Sequence, residues 1–275
     1  MKKISILGCG WLGLPLAKSL LEKGFSIKGS TTSVEKISIL ENNGIQGFQI
    51  ELLELAIKGN IDSFLENSEI LIIDIPPKLR GISRENFVRK IKNLIPFIEK
   101  STIKNVVFIS STSVYADDNS IITEATTPNP DTESGKQLLE AEQFLHSNQN
   151  FKTTVIRFGG LIGENRHPIH FLAGRQNLEN PDAPINLIHL TDCIGIIESI
   201  ICHTELACND CSRSIEVFNA VAPFHPTRKD YYTQKAIELN LPLPEFEKEK
   251  ISIGKTILSD KVTTVLDYKF KNIKL

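Results

Sequence analysis

Three kinds of sequence feature are missing from this chain, and each absence closes off a class of protein. No run of about eighteen apolar residues occurs, so no helix is expected to span a bilayer. Charge of neither sign dominates. The 31 Lys and Arg face 33 Asp and Glu, a formal net charge of −2, with no basic block to give an electrostatic footprint for nucleic acid. Cysteine is sparse: five residues, odd in number and scattered, which suits a reducing cytoplasm better than a disulfide framework. Internal repeats and low-complexity tracts are absent as well. What is there, 41% hydrophobic and 23% charged over 275 residues, is the composition of an ordinary soluble protein. The length allows one large domain or one and a half.

Lys2 and Lys3 followed by an apolar stretch, with Ile6-Leu7-Gly8-Cys9, superficially suggest a secretion or lipoprotein signal. Only Ile4 to Leu7 would form the apolar region, short of the ~7–15 residues a signal needs. The start of the chain is therefore read as a strand, and the protein as cytoplasmic.

Apolar runs and helical patterns alternate from there. Strand-like runs cover Lys3–Leu7, Phe25–Ser30, Gly47–Leu52, Ile70–Ile75, Asn105–Ser110 and Thr153–Phe158, with helical stretches at Trp11–Lys23, Val34–Asn42, Glu85–Lys100 and Ser134–His146. Phe87, Ile91, Leu94, Ile95 and Ile98 recur at three- and four-residue spacing, the mark of an amphipathic helix. Such alternation means βαβ units and a parallel sheet covered on both faces. Gly159–Pro184 reads as loops with one short helix. A strand at Ile185–Ile188, a helix at Asp192–Leu206 and a strand at Ile215–Asn219 rejoin the sheet, followed by helices near Asp230–Leu239 and Ser259–Asp267. The expected fold is α/β: a Rossmann-type doubly wound parallel sheet (1–163 and 186–220) with a small discontinuous C-terminal substrate lobe (164–185 and 221–275).

Gly8-Cys9-Gly10-Trp11-Leu12-Gly13 follows the first strand and opens the first helix. In this context Gly8 allows a tight turn, Gly10 lets backbone approach a pyrophosphate, and Gly13 permits close helix–strand packing. The helix start, with Trp11 and Leu12, offers N–H groups and partial positive charge to the anion. A dinucleotide site preferring NAD usually carries an acid ~20 residues on, for the ribose 2′-hydroxyl. Here that place reads Ser30-Thr31-Thr32-Ser33, with no acid before Glu35. Four hydroxyls and Lys36 suit a 2′-phosphate, so NADP is favoured over NAD. Ile75 and Pro76, in Asp74-Ile75-Pro76-Pro77, end the fourth strand where the chain would skirt the adenosine or ribose.

Ser110-Ser111-Thr112-Ser113-Val114-Tyr115 ends the fifth strand. With this run and the glycine fingerprint, the chain resembles the extended short-chain dehydrogenase/reductase group, the NAD-dependent epimerase/dehydratase family, over nearly its whole length. Arg157–Gly163, Ile188-His189-Leu190-Thr191-Asp192 and Val217-Phe218-Asn219 are similar to later family segments. The resemblance implies that Ser111 orients a substrate carbonyl or hydroxyl. It implies that Lys136 holds the nicotinamide ribose, and that a tyrosine four residues earlier acts as general acid/base. That position holds Thr132, whose hydroxyl does not titrate near neutrality, and such a loss typically costs about 10²–10⁴ in rate. Either Tyr115 substitutes, or a group such as His167, His170 or His189 reaches in, or conventional hydride chemistry has been lost.

The resemblance places Arg166 near substrate phosphates, with Arg175 close by, and guanidinium geometry suits that role. Cys9, at a helix N-terminus, is read as a small filler in preference to a redox sensor. Cys202, His203, Cys208 and Cys211 are not read as a zinc site, because neighbours in sequence do not easily chelate together. No metal, membrane or nucleic-acid partner is expected. The helices near 85–100 and 134–146 could pair between subunits, as in family dimers, or pack within one. Two readings stand: an NADP-dependent oxidoreductase or epimerase-like enzyme acting on a sugar nucleotide or another carbonyl or alcohol, and a non-catalytic NADP-binding sensor.

Overall fold

The computed structural model describes residues 2–77, 85–206, 216–247 and 250–275. Its centre is a seven-stranded parallel sheet, and strand chemistry explains its two-sidedness. The strands are β1 (Lys3–Leu7), β2 (Ser26–Thr31), β3 (Gln46–Gln49), β4 (Ile70–Ile73), β5 (Asn105–Ser111), β6 (Lys152–Phe158) and β7 (Glu216–Ala220). Side chains alternate across a strand. Ile70 and Ile72 therefore join one buried cluster with Ile4, Ile6, Leu16 and Leu20, while Leu71 and Ile73 join the other with Phe87, Ile91 and Leu94.

The spatial order is β3-β2-β1-β4-β5-β6-β7, so the order in which strands are added to the sheet switches sides between β1 and β4. Ile6 lies across from Gly29 on one side and Ile72 on the other. In open α/β sheets, ligands bind outside the carboxyl ends of the strands at such a switch point. Helices α1 (Gly13–Glu22), α2 (Ile37–Asn42), α3 (Ile61–Leu65), α4 (Phe87–Lys100), α5 (Glu133–Ser147), α6 (Ile169–Leu172), α7 (Leu190–Leu206), α8 (Arg228–Glu238) and α9 (Asp260–Leu266) complete the chain. The expected doubly wound fold is the observed one. No helix among the described residues is long and apolar enough to cross a membrane.

The expected strand Gly47–Leu52 breaks in two. After β3 the chain turns, and Glu51–Leu52 pairs antiparallel with Ile57–Lys58. Gly59, at φ +97°, makes this possible, because a Cβ there would collide with the Gln49 carbonyl oxygen. Helix α3 then follows, capped by Asn60, whose Oδ1 accepts from the Ser63 N–H at 3.0 Å. Phe87, Ile91 and Leu94 of α4 are buried together with Leu138, Ala141 and Leu145 of α5, while Ile95, Phe97 and Leu139 are partly buried. Ile215 of the expected seventh strand lies outside the described residues.

Two buried polar arrangements lock the outer strands and the tail. Arg157 on β6 meets Glu142 on α5 through Nη2–Oε2 at 2.6 Å and Nε–Oε1 at 3.2 Å. Ser110 donates to the same carboxylate at 2.5 Å. On α7, Asp192 accepts from the Tyr268 hydroxyl at 2.8 Å and from the Lys271 and Asn272 N–H groups at 2.7 and 3.0 Å. Gly195 is needed beneath this knot, since a Cβ would strike the Tyr268 ring.

Removing one partner of a buried pair strands the other's charge, which typically costs about 3–5 kcal/mol. Glu142→Ala is expected to lower the unfolding free energy by about that amount in a urea titration. An exposed control, Glu140→Ala, is expected to change it by less than about 0.5 kcal/mol.

Candidate active site

The first glycines of the chain form a junction with no spare room. Gly8 has φ +108°, and a Cβ on it would collide with the Asp74 carbonyl and touch Ile75. A Cβ on Gly13 would collide with the Gly8 carbonyl. Gly8 N–H donates to the Ser30 hydroxyl at 2.9 Å and Cys9 N–H to the Ser30 carbonyl at 2.7 Å. Gly10 is different. Its φ is not in the left-handed region, and nothing lies within 4 Å of where its Cβ would stand. The protein itself therefore has no use for glycine there, whereas a group approaching the backbone from outside would need it. Leu12 occupies the N-cap of α1 and offers no side-chain acceptor, so apart from the Gly13 N–H, which meets the Asp74 carboxylate, the helix start is open to an external anion. This is the geometry a dinucleotide pyrophosphate fits.

Asp74 sits under this loop. Burial pushes its carboxyl up to about 7, against the pull of the Gly13 N–H and the Arg166 guanidinium. The Cys9 and Cys193 thiols also face it electrostatically. Cys9 is a filler, packed against the Gly29 backbone, and burial pushes its thiol up to about 12. Arg166 does not line the cavity described below. Its guanidinium lies 4.8 Å from the Trp11 ring centroid, over the phosphate loop, and Gly163 is pressed close to the same indole.

The hydroxyl run after β2 is less available than its sequence suggests. Ser30 is buried on Gly8, and the Thr31 hydroxyl accepts from Ser33 N–H at 3.2 Å. Ser33 in turn donates to the Glu35 carboxylate, a bond that holds Glu35 below its usual range. Thr32, exposed, is the member of the run left facing outward.

At the end of β5, a cavity of about 360 Å³ opens between the carboxyl edge of the sheet and residues of Asn180–Leu187, α8 and Ile253–Lys255. Ser111 and Ser113 line it from the end of β5, Asn186 from the segment before α7, Arg228 and Tyr232 from α8, and Lys255 from the segment before α9. Ser111 also accepts from the Ser113 N–H at 3.2 Å, ordering the turn. Thr132 is elsewhere in both place and duty. Exposed, it caps α5 by accepting from Gly135 N–H at 3.1 Å, and neither it nor the exposed Lys136 lines the cavity.

The expected substitutes for the missing tyrosine are engaged too. Tyr115 is buried, accepts from Arg157 Nη1 at 2.6 Å and donates to Asn219 Oδ1 at 3.1 Å. Burial raises its phenol. His167 accepts at Nδ1 from Ile169 N–H and pairs at Nε2 with the Tyr231 hydroxyl at 2.8 Å. Burial holds its imidazole neutral, down to about 4. His189 braces Thr191 at the start of α7, and His170 is exposed. Cys202 is exposed, Cys208 and Cys211 lie outside the described residues, and no metal-binding cluster occurs among the described ones. Sequence reasoning missed Tyr232, Arg228 and Lys255. Thr227 marks the cap of α8, but nothing local tells which α8 residues turn inward.

No family model matches the chain. Protein YeeZ of Escherichia coli strain K12 is 32% identical over 273 residues, 98% of this chain and 96% of that protein, and its counterpart from strain O157:H7 gives the same figures. The chain belongs to the YeeZ family. Among solved structures, a functionally unknown conserved protein from Silicibacter pomeroyi matches with TM-score 0.77 at 20% identity, covering 100% of this chain and 95% of that one. A Methylobacillus flagellatus protein described as a candidate NAD-dependent epimerase/dehydratase matches at 0.78 and 22%, covering 99% and 94%. UDP-glucuronic acid 4-epimerase from Bacillus cereus, in complex with NAD, matches at 0.78 and 17%, covering 98% and 92%. These likenesses give this YeeZ-family chain the fold of the epimerase/dehydratase structures.

Asp74 supplies a direct test of the junction. Its folded carboxyl titrates near 7 instead of the ordinary 3.8, so folded protein keeps a proton that unfolded chain has released between those values. The stability contributed is present below about pH 4 and lost as pH rises through 7. Asp74→Asn mimics the protonated form. Its melting temperature is expected to equal the wild type's at pH 4 and to exceed it by several degrees at pH 8, by differential scanning fluorimetry.

Proposed function

We propose that this YeeZ-family protein is a nicotinamide-dinucleotide-dependent oxidoreductase of the epimerase/dehydratase kind, with NADP as its preferred cofactor. The observation that carries the reading is Gly10, a glycine that neither backbone conformation nor packing requires and that a pyrophosphate against α1 does. Neighbouring structures of the same fold were solved with NAD, which supports a dinucleotide of this class.

Gly8, Gly10 and Gly13 shape the pyrophosphate cradle, and Trp11 and Leu12 contribute backbone N–H groups. Arg166, 4.8 Å from the Trp11 ring centroid, would meet the pyrophosphate oxygens; it is a cofactor residue in this reading. Thr32, Ser33 and Lys36 would meet the 2′-phosphate, with Glu35 as the opposing charge, while Ser30 and Thr31 hold the loop from behind. Ile75 and Pro76 flank the adenosine side, and Lys136 is the cation for the nicotinamide ribose.

The chemistry that a bound nicotinamide would supply is hydride exchange with a carbonyl or secondary-alcohol carbon. Ser111 donates a hydrogen bond to the substrate oxygen. Tyr232 takes the role left open at Thr132. Buried and lining the same cavity as Ser111, it keeps its phenolic proton because burial outweighs the nearby Arg228 charge, so it can act as general acid. The cap at Thr132 and the exposure of Lys136 favour a second reading, a binding module without turnover.

Trp11, the single tryptophan, reports directly. Titration of its fluorescence with NADPH, NADP⁺, NADH and NAD⁺ is expected to give saturable quenching, about ten-fold tighter for the phosphorylated pair. Quenching by none of the four would end the proposal. Where wild type oxidises NADPH with a carbonyl substrate, Tyr232→Phe is expected to slow turnover about 10²–10⁴-fold with quenching unchanged. Quenching without turnover on any carbonyl would establish the binding module instead.

A further inference from the structure

The charges around the cavity define what it can hold. Lys255, buried, is already used: its Nζ donates to the Tyr115 carbonyl at 2.5 Å and lies 3.1 Å from the Asp117 carboxylate. Arg228 has no carboxylate partner among the described residues, and its Nε is buried without a hydrogen-bond acceptor. Ser113 Oγ, on the opposite wall, is buried without a partner too. A buried guanidinium nitrogen left unmatched is costly unless a ligand matches it. Lys255 and Asp117 offset one another, so the cavity carries about one uncompensated positive charge, that of Arg228.

Immediately adjoining is a second cleft of about 390 Å³, sharing Asp117, Asn180 and Ile253 with the first. It is lined by Asp131, Glu179 and Glu247 against a lone cation, Lys250, which lies 3.8 Å from Glu179 and 3.3 Å from Glu247. Among the described residues, negative charge dominates this cleft. An anion can therefore sit in the inner cavity, but a second anionic group reaching outward would meet carboxylates. Like charges so placed disfavour a polyanion at close range. The inner cavity is also near the small end of the ~300–1,000 Å³ typical of ligand pockets.

We propose that the substrate is a small monocarboxylate bearing a carbonyl or hydroxyl group, its carboxylate seated on Arg228 and Ser113 and its reacting oxygen turned to Ser111 and Tyr232, and that the acidic cleft turns away nucleoside diphosphate sugars. A carboxylate matches the guanidinium fork in two parallel bonds and carries the single charge the cavity can neutralise. The neutral or cationic end of a substrate is what the outer cleft accepts. This assignment rests on the oxidoreductase reading for its chemistry and on the cavity alone for its charge preference.

The test is a binding panel on the whole protein, with and without NADP⁺, by calorimetry. Acetoacetate, levulinate and 3-hydroxybutyrate are compared with their methyl esters, UDP-glucose and UDP-glucuronic acid. At least one acid is expected to bind about ten-fold tighter than its ester and than either nucleotide sugar. Arg228→Gln is expected to weaken that acid at least about ten-fold while leaving dinucleotide quenching of Trp11 intact. A nucleotide sugar binding more tightly than every acid would overturn the proposal. So would an Arg228→Gln effect below about two-fold, or no acid binding to protein whose Trp11 still responds. Acid binding that persists where no dinucleotide quenches Trp11 would uphold the carboxylate site and sink the oxidoreductase reading alone. Should Arg228→Gln not fold, the outer cleft gives a second measurement. Asp131→Asn with Glu179→Gln and Glu247→Gln is expected to raise UDP-glucose affinity at least about five-fold, and no gain would overturn the exclusion.

Discussion

The carboxyl edge of the sheet depends on one buried ion pair. Arg157 and Glu142 cannot be hydrated where they lie, so each must be satisfied by the other and by neighbours that approach in fixed directions. The neighbours are Ser110 at the end of β5 and the Tyr115 phenol, which is itself fastened to Asn219 on β7. One pair thus ties α5 to β5, β6 and β7. It also fixes the segment between Ser110 and Tyr115, whose backbone carries Ser111 and Ser113 into the cavity and whose last carbonyl anchors Lys255. The site's inner wall is an extension of the core's electrostatics.

How much of this was readable beforehand depended on whether the signal was local. Strands β1, β4, β5 and β6 and helix α4 announced themselves through uninterrupted apolar runs or clear periodicity, because the strands are covered on both faces and α4 buries one face against the sheet. The glycine loop was legible for the same reason: turn, approach and packing are imposed within six residues. The strand after Gly47 was misjudged because a positive-φ glycine twelve residues later, Gly59, folds the chain back onto it. The hydroxyl run after β2 looked like four free donors. Burial and neighbouring N–H groups, neither visible in composition, claim two of them.

The chemical residues divide along the same line. Ser111 sits at a strand end, so position in sequence fixed position in space. Thr132 and Lys136 were placed by resemblance alone, and the helix they begin uses Thr132 as its cap. Tyr232, Arg228 and Lys255 arrive from more than a hundred residues away, and helix α8 is seated by a small cluster of Ile169, Ile185, Tyr231 and Tyr232. A helix-start arginine looks in sequence like any solvated residue. Only the tertiary fold shows that its Nε is enclosed.

Asp192 carries a further implication, for the order in which the molecule is assembled. Its carboxylate is satisfied by Tyr268, Lys271 and Asn272, and Val262 and Tyr268 belong to the same buried cluster as Ile4 and Leu16. Strand β1 therefore shares its buried cluster with residues more than 250 positions further along the chain. Such long-range closure is slow to form. Until those residues arrive, that buried cluster is incomplete, and the chain exposes apolar surface of the kind that recruits chaperones.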